Sequence, residues 1–200
     1  MDDTSPLFSD VENGRWSHAA IAYLISKGAI SGYGDNTFKP ETSITRAEFV
    51  KIAASAFSLV YEKPDGVDET QDSFALSDVS ESDWYYPYVR GAADAKAVTG
   101  DNNGRFNPHD KISREEAAAI ILRIASIKGI NADAGTKIEI KDISDISDWA
   151  YTSVIQLMKM GIISGYSDGT FRPNGDITRE EASKLIYELM YKMNGGVKID

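Results

Sequence analysis

The 200-residue chain contains three copies of one pattern, offset by about 68 and then about 65 residues. Each copy has a short entry segment with an aspartate, a tryptophan, a glycine-containing loop with Phe-x-Pro, and a hydroxyl-Arg-x-Glu tetrapeptide. In every copy the tryptophan precedes the arginine of the tetrapeptide by 30 residues: Trp16 and Arg46, Trp84 and Arg114, Trp149 and Arg179. A unit of this size cannot bury its apolar face alone, so the copies must pack against one another.

Each copy predicts a helix, a loop and a second helix. The first helix begins near the tryptophan, because Trp16, Ala20, Tyr23 and Leu24 follow helical spacing in the first copy. It ends at Gly28 or its counterpart, since glycine commonly follows the last turn of a helix. The second helix begins at a capping box in which a hydroxyl residue stands three positions before a glutamate. These pairs are Thr45 and Glu48, Ser113 and Glu116, and Thr178 and Glu181.

These patterns predict an all-α fold in which three helix-loop-helix repeats pack as one pseudo-threefold helical domain. The motifs are placed at residues 7–60, 74–128 and 138–193, with connectors at 61–73 and 129–137. An open solenoid of the same repeats is the alternative.

Composition excludes several classes of protein. The formal net charge of −10 argues against a nucleic-acid partner, and no apolar run is long enough for membrane insertion. The absence of cysteine excludes disulfides and thiolate metal sites. A calcium loop starting at Asp35 fails, because its fifth and twelfth positions are Lys39 and Arg46. With no unrepeated catalytic cluster, we predict no catalytic residues, no metal, no cofactor and no enzymatic activity.

The Phe-x-Asp-Val entry, the tryptophan, the Ser-Gly-Tyr-x-Asp-Gly-Thr-Phe-x-Pro loop and the Ile-Thr-Arg-Ala-Glu helix start resemble the S-layer homology family over roughly residues 7–193. The resemblance implies non-covalent cell-wall anchoring of a secreted protein at the bacterial surface. It also implies a covalently linked passenger protein, and an anionic secondary wall polysaccharide whose pyruvate ketal is held in grooves between motifs. A protein–protein assembly module of a surface-layer lattice is the alternative.

The strongest ligand candidates are the three repeated arginines, Arg46, Arg114 and Arg179. A guanidinium at a helix start adds to exposed amides and the helix dipole, and its fork matches a carboxylate. The alternative is that each arginine pairs with an entry aspartate or a capping-box glutamate. We expect Glu115 and Glu180, which follow two of the arginines, to lower the affinity of the site.

Other repeated residues each have a binding role and a structural alternative. The tryptophans Trp16, Trp84 and Trp149 stack on sugars or pack on a helix face. The aspartates Asp10, Asp78 and Asp142 accept sugar hydroxyls or form turns and caps. The glycines Gly32, Gly100 and Gly165 allow close approach of a ligand or a positive φ. Tyr33 and Tyr166 are candidate hydroxyl donors, whereas Asp101 replaces tyrosine in the second copy and predicts a weaker groove there.

Overall fold

The computed structural model describes residues 7–63, 74, 76–131 and 138–196 of the chain. Within these ranges the fold is built from six α-helices and a 3-10 turn, Ile143–Asp145, with isolated β-bridges in place of strands. The helices are α1 (His18–Ser26), α2 (Arg46–Ala56), α3 (Tyr86–Asp94), α4 (Arg114–Ile127), α5 (Asp148–Lys159) and α6 (Arg179–Met193). The all-α prediction is therefore confirmed. Much of both connectors lies outside the described residues, so the motif boundaries stay predictions.

Capping boxes start α2, α4 and α6, as the sequence predicts. Thr45, Ser113 and Thr178 each accept the N3 amide on their side chain, while the N3 glutamate accepts the N-cap amide. All three N-caps have extended backbone angles, so the chain enters each helix in the same way.

The helices pack across motifs. The later helices α2 and α4 both contact α6, while α3 lies against α2 and α5 against α4. Each first helix thus rests on the second helix of the preceding motif, and α1 rests on α6 to close the ring. This closure confirms the pseudo-threefold domain and contradicts the open solenoid.

A ring of backbone hydrogen bonds lies at the centre of the threefold arrangement. The amide of Ile44 donates to the carbonyl of Ile177, Ile112 donates to Ile44, and Ile177 donates to Ile112, at N–O distances of 3.0–3.2 Å. All three isoleucine side chains are buried. The residue before each capping box therefore joins all three motifs at one point.

The loops between the paired helices keep one conformation in all three motifs. The phenylalanines Phe38, Phe106 and Phe171 are fully buried and fix each loop to the core. The second residue after the end of each first helix has a positive φ. The φ values are 68° at Gly28, 63° at Lys96 and 71° at Gly161. A lysine therefore adopts, in the second motif, the backbone conformation that favours glycine.

No helix among the described residues is both long enough and apolar enough to cross a lipid bilayer.

Candidate functional site

Two surface grooves contain residues from all three motifs. The loop-3 groove, about 650 Å³, has loop 3 (161–176) and α6 as one wall, with Arg114 and Trp16 opposite. The loop-2 groove, about 490 Å³, has loop 2 (96–111) and α4 as one wall, with Arg46 and Trp149 opposite. A single motif therefore supplies only part of a groove.

The pseudo-threefold relation indicates a third groove, here the loop-1 groove, where loop 1 (28–43) meets α2 and Arg179. Arg179 donates to the carbonyl of Ser31, and its guanidinium lies 5.1 Å from the ring centroid of Tyr33. Lys51 on α2 donates to the carbonyl of Ala29. The pseudo-threefold relation predicts that Trp84 stands beside this groove.

The tryptophans are not core residues. The side chains of Trp16, Trp84 and Trp149 are 55%, 57% and 58% exposed. Trp16 and Trp84 lie two residues before their helices, and Trp149 lies in the first turn of α5. Helix-face packing, the structural alternative for these residues, does not describe such exposed rings. An exposed ring at the mouth of a polar cavity is available for stacking, so the predicted role in binding sugar remains open to test.

The helix-start amides are already occupied. The N1 and N2 amides of α2 donate to the carbonyls of Asp110 and Pro108, and those of α4 to Gly175 and Pro173. In α6 the same amides donate to Thr42 and Pro40. The expectation of exposed amides around an anion is wrong, because each helix start is instead sealed by the loop of the next motif. The polar groups that line the two grooves are therefore side chains and loop groups, not the amides that start the helices.

Two of the three arginines form ion pairs. Arg46 contacts Glu116 at 2.7 Å, and Arg114 contacts Glu181 at 3.3 Å. In both cases Nε also donates to a phenylalanine carbonyl, Phe106 or Phe171, at 2.8 Å. The capping-box glutamate thus pairs across motifs, as the structural alternative anticipated in part.

Arg179 differs from the other two arginines. It is only 9% exposed, it has no carboxylate partner within the described ranges, and its buried Nε has no hydrogen-bond acceptor. Burial lowers the pKa of this guanidinium, against the opposing effect of Tyr33 and Glu48. A buried donor without an acceptor is uncommon in proteins, and it distinguishes this guanidinium from those of Arg46 and Arg114.

The repeated aspartates hold their own loops. Asp10, Asp78 and Asp142 each accept the backbone amides of the buried phenylalanine and of the residue after it, at 2.7–2.8 Å. None of the three lines the loop-2 or loop-3 groove. Each aspartate therefore has a structural role in its own loop, and the predicted contact with sugar hydroxyls stays a prediction.

The repeated glycines are needed for packing inside the protein. A Cβ on Gly32 would lie 2.1 Å from the ring of Phe8, and one on Gly100 would lie 2.7 Å from Leu76. On Gly165 it would meet the carbonyl oxygen of Thr170 at 2.8 Å. None of the three has a positive φ, so that alternative is wrong. Gly100 and Gly165 line the loop-2 and loop-3 grooves, and the predicted close approach of a ligand to these glycines stays a prediction.

The loop tyrosines differ between motifs. The Tyr166 hydroxyl donates to Glu181 at 2.6 Å, and burial together with this bond raises the pKa of Tyr166 to about 12. Burial opposes ionisation of Glu181, yet its hydrogen bonds and the Arg114 charge lower the pKa of Glu181 overall. Tyr33 makes no corresponding hydroxyl bond among the described residues and instead lies under Lys39, 4.3 Å from Nζ to the ring centroid.

Asp101, the residue that replaces tyrosine, organises loop 2. It accepts the amides of Asn103 and Arg105, and these bonds lower the pKa of Asp101. Its negative charge is surrounded by cations of the same groove, including Arg46, Arg105 and Arg123. The expected repulsion of an anion by Asp101 is thereby offset, and the prediction of a weaker groove remains untested.

Glu115 and Glu180 do not act on the arginines as expected. Both are buried; Glu115 accepts hydrogen bonds from Ser147, while Glu180 accepts them from Arg15 and Ser17. They fix the start of a first helix from another motif, and the expectation that they lower affinity at the groove stays a prediction.

The sequence reasoning missed a second cation in each groove. On each second helix this cation lies five or nine positions after the repeated arginine of that helix. The three cations are Lys51 after Arg46, Arg123 after Arg114 and Lys184 after Arg179. Lys184 lines the loop-3 groove, Arg123 lines the loop-2 groove, and Lys51 contacts loop 1. The three residues share only a positive charge on the second helix of their motif. Their position within the repeat is not constant, so the alignment of the three copies does not reveal them.

Comparison with known proteins agrees with these repeats. The family model described as "S-layer homology domain" matches residues 7–50, 75–118 and 139–183. The chain is 32% identical over 194 residues to "Exoglucanase XynX" of Acetivibrio thermocellus, covering 95% of this chain and 17% of that protein. It is 33% identical over 181 residues to "S-layer protein EA1" of Bacillus anthracis, covering 90% and 19% respectively.

An "Amylopullulanase" of Thermoanaerobacterium thermosulfurigenes is 33% identical over 189 residues, covering 92% of this chain and 10% of that protein. The chain thus spans less than a fifth of the length of these relatives. Because the three family matches cover more than half of the chain and coincide with its three repeats, the chain belongs to the S-layer homology domain family.

Proposed function

We propose that the chain is a non-covalent anchor that holds a larger secreted protein on the bacterial cell wall. Its ligand is an anionic wall polysaccharide carrying a pyruvate ketal, bound in the grooves between motifs. The observation that carries the proposal is the pairing, in one cavity, of a half-exposed tryptophan with an arginine from another motif. A ring for the apolar face of a sugar and a guanidinium for a carboxylate together fit an acidic saccharide.

The relatives support attachment over catalysis. Two of them are named for enzymes and one for an S-layer protein, yet they share with this chain a segment of less than a fifth of their length. A segment common to proteins with different activities suits a shared means of attachment. The S-layer relatives and the family place the chain on the bacterial cell surface as a secreted protein. The passenger protein is then the remainder of a longer chain.

Several grooves on one domain face one polymeric wall, so modest affinity at each groove multiplies through effective concentration. The domain therefore does not need one very tight site to remain attached.

Calorimetry with purified pyruvylated wall polymer tests the proposal. We expect Trp16→Ala and Trp149→Ala each to weaken binding about tenfold, equivalent to about 1.4 kcal/mol, without loss of fold. Tyr151→Ala is the matched control, because Tyr151 is exposed on α5 but lines neither groove. Removal of the ketal pyruvate from the polymer should abolish binding by the unchanged protein; equal binding to both polymers contradicts the ligand assignment.

The arginines provide a second test of the same proposal. We expect the double variant Arg46→Ala with Arg179→Ala to lose binding, with circular dichroism confirming that the helices remain. Arg→Lys at these positions should also bind much more weakly, because the planar fork is lost. Affinity unchanged from the parent chain in the lysine variants would show that charge alone suffices.

The exposed tryptophans also suit the alternative, assembly of a protein lattice. Sedimentation analysis separates the two functions. Polymer-independent self-association that is lost in Trp16→Ala would favour assembly, whereas a monomer that binds polymer favours anchoring.

A further inference from the structure

The three grooves differ in how many of their cations are already neutralised within the protein. Each groove contains the repeated arginine from one motif and a second basic residue from the α-helix of another. Within the described residues, both cations form an ion pair in the loop-3 groove, one does in the loop-2 groove, and neither does in the loop-1 groove.

In the loop-3 groove both cations are paired. Arg114 contacts Glu181, and Lys184 contacts Glu188 on the same helix. Tyr166 also donates to Glu181, which completes a hydrogen-bonded cluster on this wall. An incoming anion must displace a carboxylate or compete with one.

In the loop-2 groove one cation is paired. Arg46 contacts Glu116 at 2.7 Å, whereas half-buried Arg123 has no carboxylate within 4.0 Å in the described ranges. Burial and the neighbouring positive charge of Arg46 both lower the pKa of Arg123. This groove therefore presents one uncompensated guanidinium.

In the loop-1 groove neither cation is paired within the part of the chain that the structure describes. Glu48, the counterpart of Glu116 and Glu181, accepts the Thr45 amide and forms no ion pair with Arg179. Lys51 is half-buried, and burial followed by the Arg179 charge lowers its pKa. Arg179 also keeps the orphaned Nε–H described above.

Two adjacent, partly desolvated cations that have no ion-paired carboxylate within the described residues are unfavourable in the free protein. A bound carboxylate in this groove would neutralise one of the two charges without breaking an internal ion pair. We propose that the loop-1 groove takes the anionic substituent of the polysaccharide ahead of the other grooves, with Arg179 and Lys51 as its ligands. This inference rests on the proposed function and extends it to an order: loop-1, then loop-2, then loop-3.

The second cations give the cleanest test, since none belongs to a capping box. Lys51→Gln, Arg123→Gln and Lys184→Gln form a matched set, each removing one positive charge from one groove. Binding is measured by calorimetry with the pyruvylated wall polymer. We expect affinity to fall at least tenfold in Lys51→Gln, a few-fold in Arg123→Gln, and less than twofold in Lys184→Gln.

A second measurement locates the anion directly. A methyl glycoside that carries a pyruvate ketal is titrated into 15N-labelled protein while the arginine Nε–H signals are followed. We expect the Arg179 signal to shift at lower ligand concentration than those of Arg46 and Arg114.

The outcomes separate this inference from the proposed function. If the parent chain binds polymer but the three variants lose affinity equally, or Lys184→Gln loses most, the order is wrong and anchoring stands. If the parent chain binds no polymer, the proposed function fails. In that case a shift of the Arg179 signal alone supports the anion site, and its absence overturns it.

Discussion

The threefold centre is the same in all three motifs, whereas the groove walls differ from motif to motif. At the centre, Ile44, Ile112 and Ile177 make the same backbone bonds and are buried alike. On the groove walls, the arginines of the same three motifs have different partners. Backbone pairing and burial require the same solution in each copy, whereas a solvent-lined wall tolerates different side chains. The repeat is therefore uniform as a framework and unequal as a set of binding sites.

The largest effect should come from the centre. We expect Ile44→Ala, Ile112→Ala and Ile177→Ala each to lower the free energy of unfolding by about 3 kcal/mol, because each leaves a cavity at a site that cannot collapse. Urea denaturation measures this loss. Trp84→Ala is the contrast: its ring is exposed, so the change should stay within about 0.5 kcal/mol. Strongly unequal losses among the isoleucines would break the equivalence of the three motifs.

Closure of the ring offers the next test. Glu180 is buried and accepts hydrogen bonds from Arg15 and Ser17, which ties α6 to the start of α1. Glu180→Ala should cost about 3 kcal/mol in unfolding free energy, since it leaves the Arg15 charge with only an exposed partner. That partner is Glu41, and Glu41→Ala should change stability by less than about 0.5 kcal/mol. An equal loss in both variants would mean that the buried bond does not close the ring.

A smaller, pH-dependent effect distinguishes loop 3 from loop 1. The pKa of Tyr166 is raised to about 12 in the folded chain, so its stabilising contribution is complete below the usual value near 10 and disappears as the pH rises toward 12. Tyr166→Phe should therefore lose about 1 kcal/mol at neutral pH, and the difference from the parent chain should vanish in alkali. Thermal or urea unfolding from pH 7 to 11.5 measures it.

Tyr33→Phe is the control for that experiment, since the Tyr33 hydroxyl makes no bond within the described residues comparable to that of Tyr166. Its stability should follow the parent chain at every pH. A similar pH dependence in both variants would contradict the assigned difference between the loops.

The smallest effect concerns a position where the framework is uniform but the residue is not. Lys96 has a φ of 63° where the other motifs have glycine. Lys96→Gly should raise the free energy of unfolding by about 0.5–1 kcal/mol, because glycine adopts this conformation without steric cost. Gly161→Lys should lower it by a similar amount in the same urea assay. Destabilisation by Lys96→Gly would show that the lysine makes a stabilising contact of its own.

The sequence by itself determined the helices, their capping boxes and, through the threefold repeat, the all-α threefold domain. These follow from local chemistry: helical spacing, hydroxyl caps and repeated apolar residues act over a few positions and are visible in any one copy. It also identified the arginines, tryptophans and loop tyrosines that line or border the grooves.

The tertiary structure alone decided what those residues contact. Each groove combines three motifs, so the partner of an arginine lies about 70 residues away and depends on which helix packs beside it. Packing also gave the aspartates hydrogen bonds that hold their loops and gave the glycines close internal contacts. It placed Arg123 and Lys184 on groove walls and Lys51 against loop 1. Whether a buried charge is paired is a property of distances in space. Equal sequence spacing in three copies left Arg46 and Arg114 paired and Arg179, within the described residues, without a carboxylate partner.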